Sequence, residues 1–267
     1  VKYAALRHVK YLPAANTERR SKGGAKVTEK DLSFRGVLLS SLGAAVLTQP
    51  RRKRGAERLT AQKIPGRSGT LHVSEGSGIM DSILLTAEIL LPEGMSEANR
   101  QAVAALLRGS GEVIFGSDPG WAYRATVTGA LELEAILEGR DWDSFTVQFE
   151  CDPWRYPVPA AADITLTAAG TVANPGTADA APVYAVTGTG DAYLAVGSRL
   201  VGLSFGGSQS VIVLDADTQM AFNADRTARR DADVDGEIPL LAAQADTAIG
   251  WTGSIAEVVI TPRWRYL

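Results

Sequence analysis

The residues best suited to chemistry in this chain are the carboxylates of Asp231-Ala232-Asp233-Val234-Asp235-Gly236-Glu237-Ile238. Oxygens at alternating positions, a glycine at a sharp turn and an aliphatic residue after it form the first half of a calcium loop. Hard cations take such ligands. The second half departs from that pattern. Ala242 stands where a bidentate Glu belongs, Pro239 replaces a further ligand, and no helical pattern flanks the run. The segment reads as a solvated acidic turn before a strand, with Asp231, Asp233 and Asp235 an incomplete metal candidate.

Other constellations are also incomplete. His8 and His72 have no ligand partner at metal spacing. Gly188-Thr189-Gly190 begins like a dinucleotide fingerprint but lacks the third glycine and the following helix, so it reads as a β-turn. No nucleophile elbow, phosphate loop or kinase set occurs. Glu132 and Glu134 share one face of an expected strand, a common pattern of acidic surface positions. Glycoside hydrolysis is left open by them but not recommended. Trp142, Trp154, Trp251 and Trp264 can stack on sugars, although packing in a core or interface is the commoner use. The residues therefore point away from an enzyme, and no cofactor is expected.

The elements around these residues are mostly strands. The chain has 267 residues, 45% hydrophobic and 21% charged, an ordinary globular composition long enough for two cores. No apolar run approaches the roughly 20 residues of a membrane helix, so membrane insertion is not expected. Cys151 is the only cysteine, which rules out an internal disulfide. The net charge of −3 is uneven: +6 over 1–30, −3 over 31–156 and −6 over 157–267. An acidic body is a poor general binder of nucleic acid. Residues 1–30 read as a basic N-terminal arm or extension that orders against a partner.

Strand signals begin at Asp31 with Leu32-Ser33-Phe34. A small-residue stretch follows, broken at Leu42-Gly43, and then the basic run Arg51-Arg52-Lys53-Arg54, which reads as a hairpin base or a rim. Residues 82–91 form a strand stopped by Pro92 and Gly94. Residues 96–108 predict the one helix, with Ser96 as N-cap, a stripe of Ala102, Val103, Leu106 and Leu107, and Gly109 ending it. Asp118-Pro119-Gly120 is a turn. Strands are expected at 121–127 and 130–137. In 143–151, Phe145, Val147, Phe149 and Cys151 face one way. Residues 157–162 form a linker, and beyond it short strands between turns predict a β-sandwich or jelly roll.

One stretch organises the rest: Gln62-Lys63-Ile64-Pro65-Gly66-Arg67-Ser68-Gly69-Thr70-Leu71. Pro65 fixes its own φ and keeps Ile64 extended. Gly66 and Gly69 admit positive φ. With extended runs on either side, the stretch predicts a long two-stranded arm. By itself the stretch reads first as an ordinary surface hairpin.

Taken in order, these features resemble the distal tail proteins of long-tailed bacteriophages (siphophages), often called Dit. The resemblance rests on Leu32-Ser33-Phe34-Arg35-Gly36 through Leu42-Gly43, the basic run, and Ile64-Pro65-Gly66-Arg67-Ser68-Gly69. It continues in Phe149-Glu150-Cys151-Asp152-Pro153-Trp154-Arg155-Tyr156 and Asn174-Pro175-Gly176-Thr177. Ala181-Pro182, Val213-Leu214-Asp215 and Ile260-Thr261-Pro262-Arg263-Trp264-Arg265-Tyr266 complete it. It covers about 31–267; residues 1–30 are not typical of the family.

The resemblance implies a mainly β protein. Residues 31–156 would be a ring-forming, tail-tube-like β domain with one helix, and 157–267 a galectin-like β-sandwich. Six copies would form a ring, each embracing its neighbour with an arm at about 51–73. Arg58, Ile64, Pro65, Gly66, Arg67, Gly69 and Leu71 would be the arm's inter-subunit residues. Phe149, Cys151, Pro153 and Trp154 would mark the domain junction. The implied place is the distal end of the virion tail, after synthesis in the host cytoplasm. The implied partners are further copies of the chain, the tail tube protein, the tail hub or tail-associated protein, and receptor-binding proteins. DNA would only pass through the bore. The residues agree in one respect: a long arm exposing strand edges is an aggregation liability until it pairs with a neighbouring copy. Two other readings are a carbohydrate-binding module for host-surface adhesion, resting on the sandwich and its tryptophans, and an enzyme of cell-wall glycans.

Overall fold

The structure, a computed structural model, describes residues 30–74, 79–129 and 143–267. Most of the basic N-terminal stretch, His8, the strand expected at 130–137 with Glu132 and Glu134, and Trp142 lie outside these residues. The fold is mainly β with one α-helix among the described residues.

The first sheet is antiparallel. Its order is Val37–Leu38, Leu32–Phe34, Ser110–Phe115, Trp121–Thr128, Asp143–Cys151, Ile83–Leu91 and Ala45–Thr48, with Tyr156–Pro157 added to Trp121–Thr128. The sequence fixes its faces by strict alternation. Ile83, Leu85, Ala87, Ile89 and Leu91 point inward, opposite Cys151, Phe149, Val147 and Phe145 of the neighbouring strand. A period of two places such residues on one face of a pleated strand. Phe34 and Phe115 each meet Phe149 edge to face, at 5.6 and 5.7 Å between ring centres. That geometry suits the ring quadrupoles.

The helix runs Glu97–Leu106 and closes one side of this core. Ser96 Oγ accepts a hydrogen bond from the Asn99 amide at 3.2 Å, satisfying one of the free donors of the first turn. The buried stripe is Arg100, Val103, Ala104 and then Leu107, at positions i, i+3, i+4 and i+7. This corrects the expected stripe, because Ala102 and Leu106 are only half-buried. Arg100 reads as surface because it is charged, yet it is buried and its Nε donates to the Met95 carbonyl at 3.4 Å. The helix also ends before Arg108, and Gly109 turns the chain with φ +68.

The second body has its own core. Two long strands, Val183–Val196 and Asp246–Thr261, pair with each other along their length. Ser210–Asp215, Arg199–Ser204, Ile164–Leu166 and Gly170–Ala173 attach to them, with Met220–Phe222 and Val234–Asp235 outside these. The expectation of uniformly short strands is thus corrected. The expected β-turn at Gly188-Thr189-Gly190 is instead a bend inside one strand, where the register slips. A side chain at Gly188 would meet the Phe205 ring at 2.7 Å, and Gly190 takes φ +64. Glycines here let the strand bulge and continue rather than stop.

The two bodies are tied by residues 263–267. Arg155 and Tyr266 exchange both backbone hydrogen bonds, at 2.9 and 3.0 Å. Trp121 packs edge to face on Tyr266 at 4.9 Å, and the Arg155 guanidinium lies 4.2 Å above the Trp121 ring. Asp217 is the ionic centre of the joint. It accepts from Arg124 of the first sheet and from Arg265. Burial alone would raise its pKa, but the two guanidiniums outweigh that and hold the carboxyl below its ordinary range.

Candidate assembly surface

Leu59–Gln62 and Leu71–Ser74 form a two-stranded ribbon that pairs with neither large sheet. Its tip follows from three residues. The Arg67 amide donates to the Ile64 carbonyl at 3.1 Å, with Pro65 and Gly66 between them and Gly66 at φ +80. Proline at the first central position and a positive-φ glycine at the second define a type II turn. Gly69, at φ +86, turns the chain back into the second strand.

Every residue from 56 to 70 is exposed, and Leu71 is half-buried. Leu59, Ile64 and Val73 are 49%, 41% and 43% exposed, an apolar content unusual for a segment with no core beneath it. A lone two-stranded hairpin is marginal in water.

The root, by contrast, is tightly built. Glu57 bridges to Met80, the Arg58 amide donates to Ile79, and the Asp81 amide donates to Ala56. Arg58 Nε also pairs with the Asp81 carboxylate at 2.8 Å, an exposed ion pair of little energetic weight. Gly55 is buried, and a Cβ there would lie 2.6 Å from Pro153 Cβ. Lys53 Nζ donates to the Leu84 carbonyl at 2.8 Å, and Arg52 to the Leu267 carbonyl at 3.1 Å. Two cations of the basic run thus hold the ribbon's base to both bodies.

The residues expected at the junction sit at different depths. Phe149 and Cys151 are fully inside the first core. Burial, with Asp152 and Glu150 nearby, pushes the Cys151 thiol up to about 12. Pro153 packs on Gly55, and Trp154 lines a cleft of about 570 Å³ between the ribbon's root and the second body. Glu57, Ile79, Asp179 and Leu240 line it as well. Sequence reasoning missed the cleft because its walls come from segments more than a hundred residues apart.

The carboxylates of the acidic turn do not converge on a cation. Asp231 accepts from the Ala221 amide and pairs with Arg229, Asp233 pairs with Arg230 at 2.7 Å, and Asp235 lies on a strand beside Gly202. Among the described residues no group of three or more His, Cys, Asp or Glu could hold a metal. His72 is exposed on the ribbon. Trp264 is buried in the second core and Trp251 packs against it. Among the described residues no helix is long and apolar enough to cross a membrane.

No protein-family model matches the sequence, and the comparison with curated proteins finds no match. Among solved structures, this chain is similar to SPP1 Dit (gp 19.1), described as a paradigm of the hub adsorption apparatus in phages infecting Gram-positive hosts. The TM-score is 0.64 at 16% identity, over 89% of this chain and 99% of that one. The fold is Dit-like. At this identity the likeness is one of architecture.

Proposed function

We propose that this chain is a structural distal tail protein of a long-tailed phage or phage-like particle, acting as a hexameric ring hub. The ring joins the tail tube to the tail tip or baseplate and leaves a bore through which DNA passes. In this reading 31–156 form the ring, the ribbon clasps the next copy, and 157–267 are a galectin-like sandwich carried outside. The partners are identical copies, the tail tube protein, the tail hub protein and receptor-binding proteins. The protein is not an enzyme.

The observation that carries this reading is the ribbon. It is exposed on both faces, rich in aliphatic residues and fixed at its root, which suits a segment whose partner is another molecule. The Dit-like fold and the near-complete coverage of SPP1 Dit support the same role. A head-to-tail clasp between identical copies closes into a ring without leaving a free edge.

The test is to replace residues 62–69 by a two-residue turn in the full chain and measure mass under native conditions. The intact protein is expected to assemble. The shortened one should stay monomeric with both cores folded, and rings that persist without the ribbon would remove it from the mechanism.

A further inference from the structure

We propose that the outer face of the second body's sheet binds a neutral pyranose sugar across Tyr193, Gly202 and Asp235, a site independent of the ring reading. Strand pairing puts Thr252, Tyr193, Gly202 and Asp235 in one row, because residues paired across an antiparallel sheet share a face. Their neighbours along the strands, Ala192, Leu194, Val201 and Leu203, are buried, so the row points outward. Tyr193 is 51% exposed, although an aromatic ring gains much from burial. The glycine opposite keeps the space beside that ring open. A Cβ at Gly202 would lie 3.5 Å from Tyr193 Cε1 and 3.3 Å from Asp235 Cβ. The ring and the aspartate thus flank a gap that any other residue would fill. The tryptophans offer no such surface, since Trp264 is buried and Trp251 is half-buried against the second core.

The two walls of this gap match the two kinds of surface on a pyranose. Its C–H bonds are weakly positive and pack on the negative face of an aromatic ring. Its hydroxyls donate charge-assisted hydrogen bonds to a carboxylate. Asp235 is available to accept them. Among the described residues it has no ion-pair partner, whereas Asp231 and Asp233 of the same acidic turn are held by Arg229 and Arg230. Thr252, exposed on the other side of the ring, adds a hydroxyl. Charge selects the class of sugar. Asp191, on the same face two residues before Tyr193, adds negative charge, and Arg199 is taken by Glu237 at 3.7 Å. Such a rim repels a polymer bearing phosphate or uronate groups and leaves a neutral one free to approach.

The test uses the full chain with cellotetraose, maltotetraose, chitotetraose and lactose as neutral probes and tetragalacturonate as the anionic one. Saturation-transfer NMR should detect at least one neutral probe, and titration of that probe gives its Kd. Tyr193→Ala should raise this Kd about tenfold, whereas Tyr193→Phe, which keeps the ring, should leave it nearly unchanged. Asp235→Asn should raise it about fivefold through the lost charge. Tyr193 and Asp235 are both exposed, so these variants should melt with the wild type. Gly202→Val fills the gap and should abolish binding; if it fails to fold, the three exposed-residue variants carry the test. No transfer to any neutral probe overturns the site, as does binding that Tyr193→Ala leaves unchanged. Tighter binding of tetragalacturonate overturns the charge argument and the proposal with it. A fall in native mass on Tyr193→Ala would make this face a contact between copies and also overturn it. Rings that form without any sugar binding leave the ring reading standing.

Discussion

Gly55 and Pro153 touch where the ribbon leaves the first sheet, so closely that a methyl group at Gly55 would stand 2.6 Å from Pro153 Cβ and 3.1 Å from the Asp81 carbonyl. Neither a proline ring nor a backbone carbonyl can swing aside. The absence of one side chain thus sets the direction in which the ribbon projects.

Gly55→Ala is therefore expected to destabilise the fold by about 1–3 kcal/mol, the usual cost of overpacking, and to weaken assembly further by tilting the ribbon. Gly120→Ala is the control. A Cβ there would meet nothing within 4 Å. Its shift in denaturation midpoint should be smaller, and assembly should be unchanged.

Asp217→Asn should loosen the joint between the two bodies. Two guanidiniums lose their common acceptor, costing about 1–3 kcal/mol at neutral pH. The pH dependence has a definite sign. The folded pKa of Asp217 lies below the unfolded value, so its stabilisation is complete above the unfolded value, about 3.9, and is lost as pH falls through the folded one. Asp152 and Glu112 are shifted upward by burial, so protonating them on acidification works the other way. The gap between wild type and Asp217→Asn in denaturant titrations should hold down to about pH 4 and close only as pH falls further. A gap that closes well above about pH 4, or that never narrows below it, would contradict this account of the joint.

Cys151 should report unfolding. Buried, and with its thiol raised to about 12, it should react with iodoacetamide at pH 8 only as fast as the first core opens. Labelling at the rate of a free thiol would mean that this core is looser than its packing indicates.

Ser96→Ala should cost about 1 kcal/mol through the lost cap on the Asn99 amide. Ser96→Asp, which can restore the acceptor, should recover most of it. Thermal melts followed at 222 nm, in the helix band, check both.

The parts of this molecule legible in the sequence are local ones. The alternation of Phe145, Val147, Phe149 and Cys151, the Ser96 cap and the Ile64-Pro65-Gly66-Arg67 turn depend on neighbours a few residues away. What stayed hidden depends on distant partners. Arg124 and Asp217 meet across 93 residues of sequence. Gly188 reads as a turn until Phe205 is seen to fill the space beside it. Arg100 is a charged residue on a buried helix face. The ribbon's turn is readable, whereas the cleft at its root needs connecting segments from both bodies to exist.

The central claim is that the ribbon holds together a closed ring of identical copies. Electron micrographs of the purified full-length protein, at concentrations where native mass shows assembly, test it most directly. The account predicts rings with six-fold symmetry and an open bore. A strict monomer at high concentration, with its ribbon packed against its own body, would contradict it.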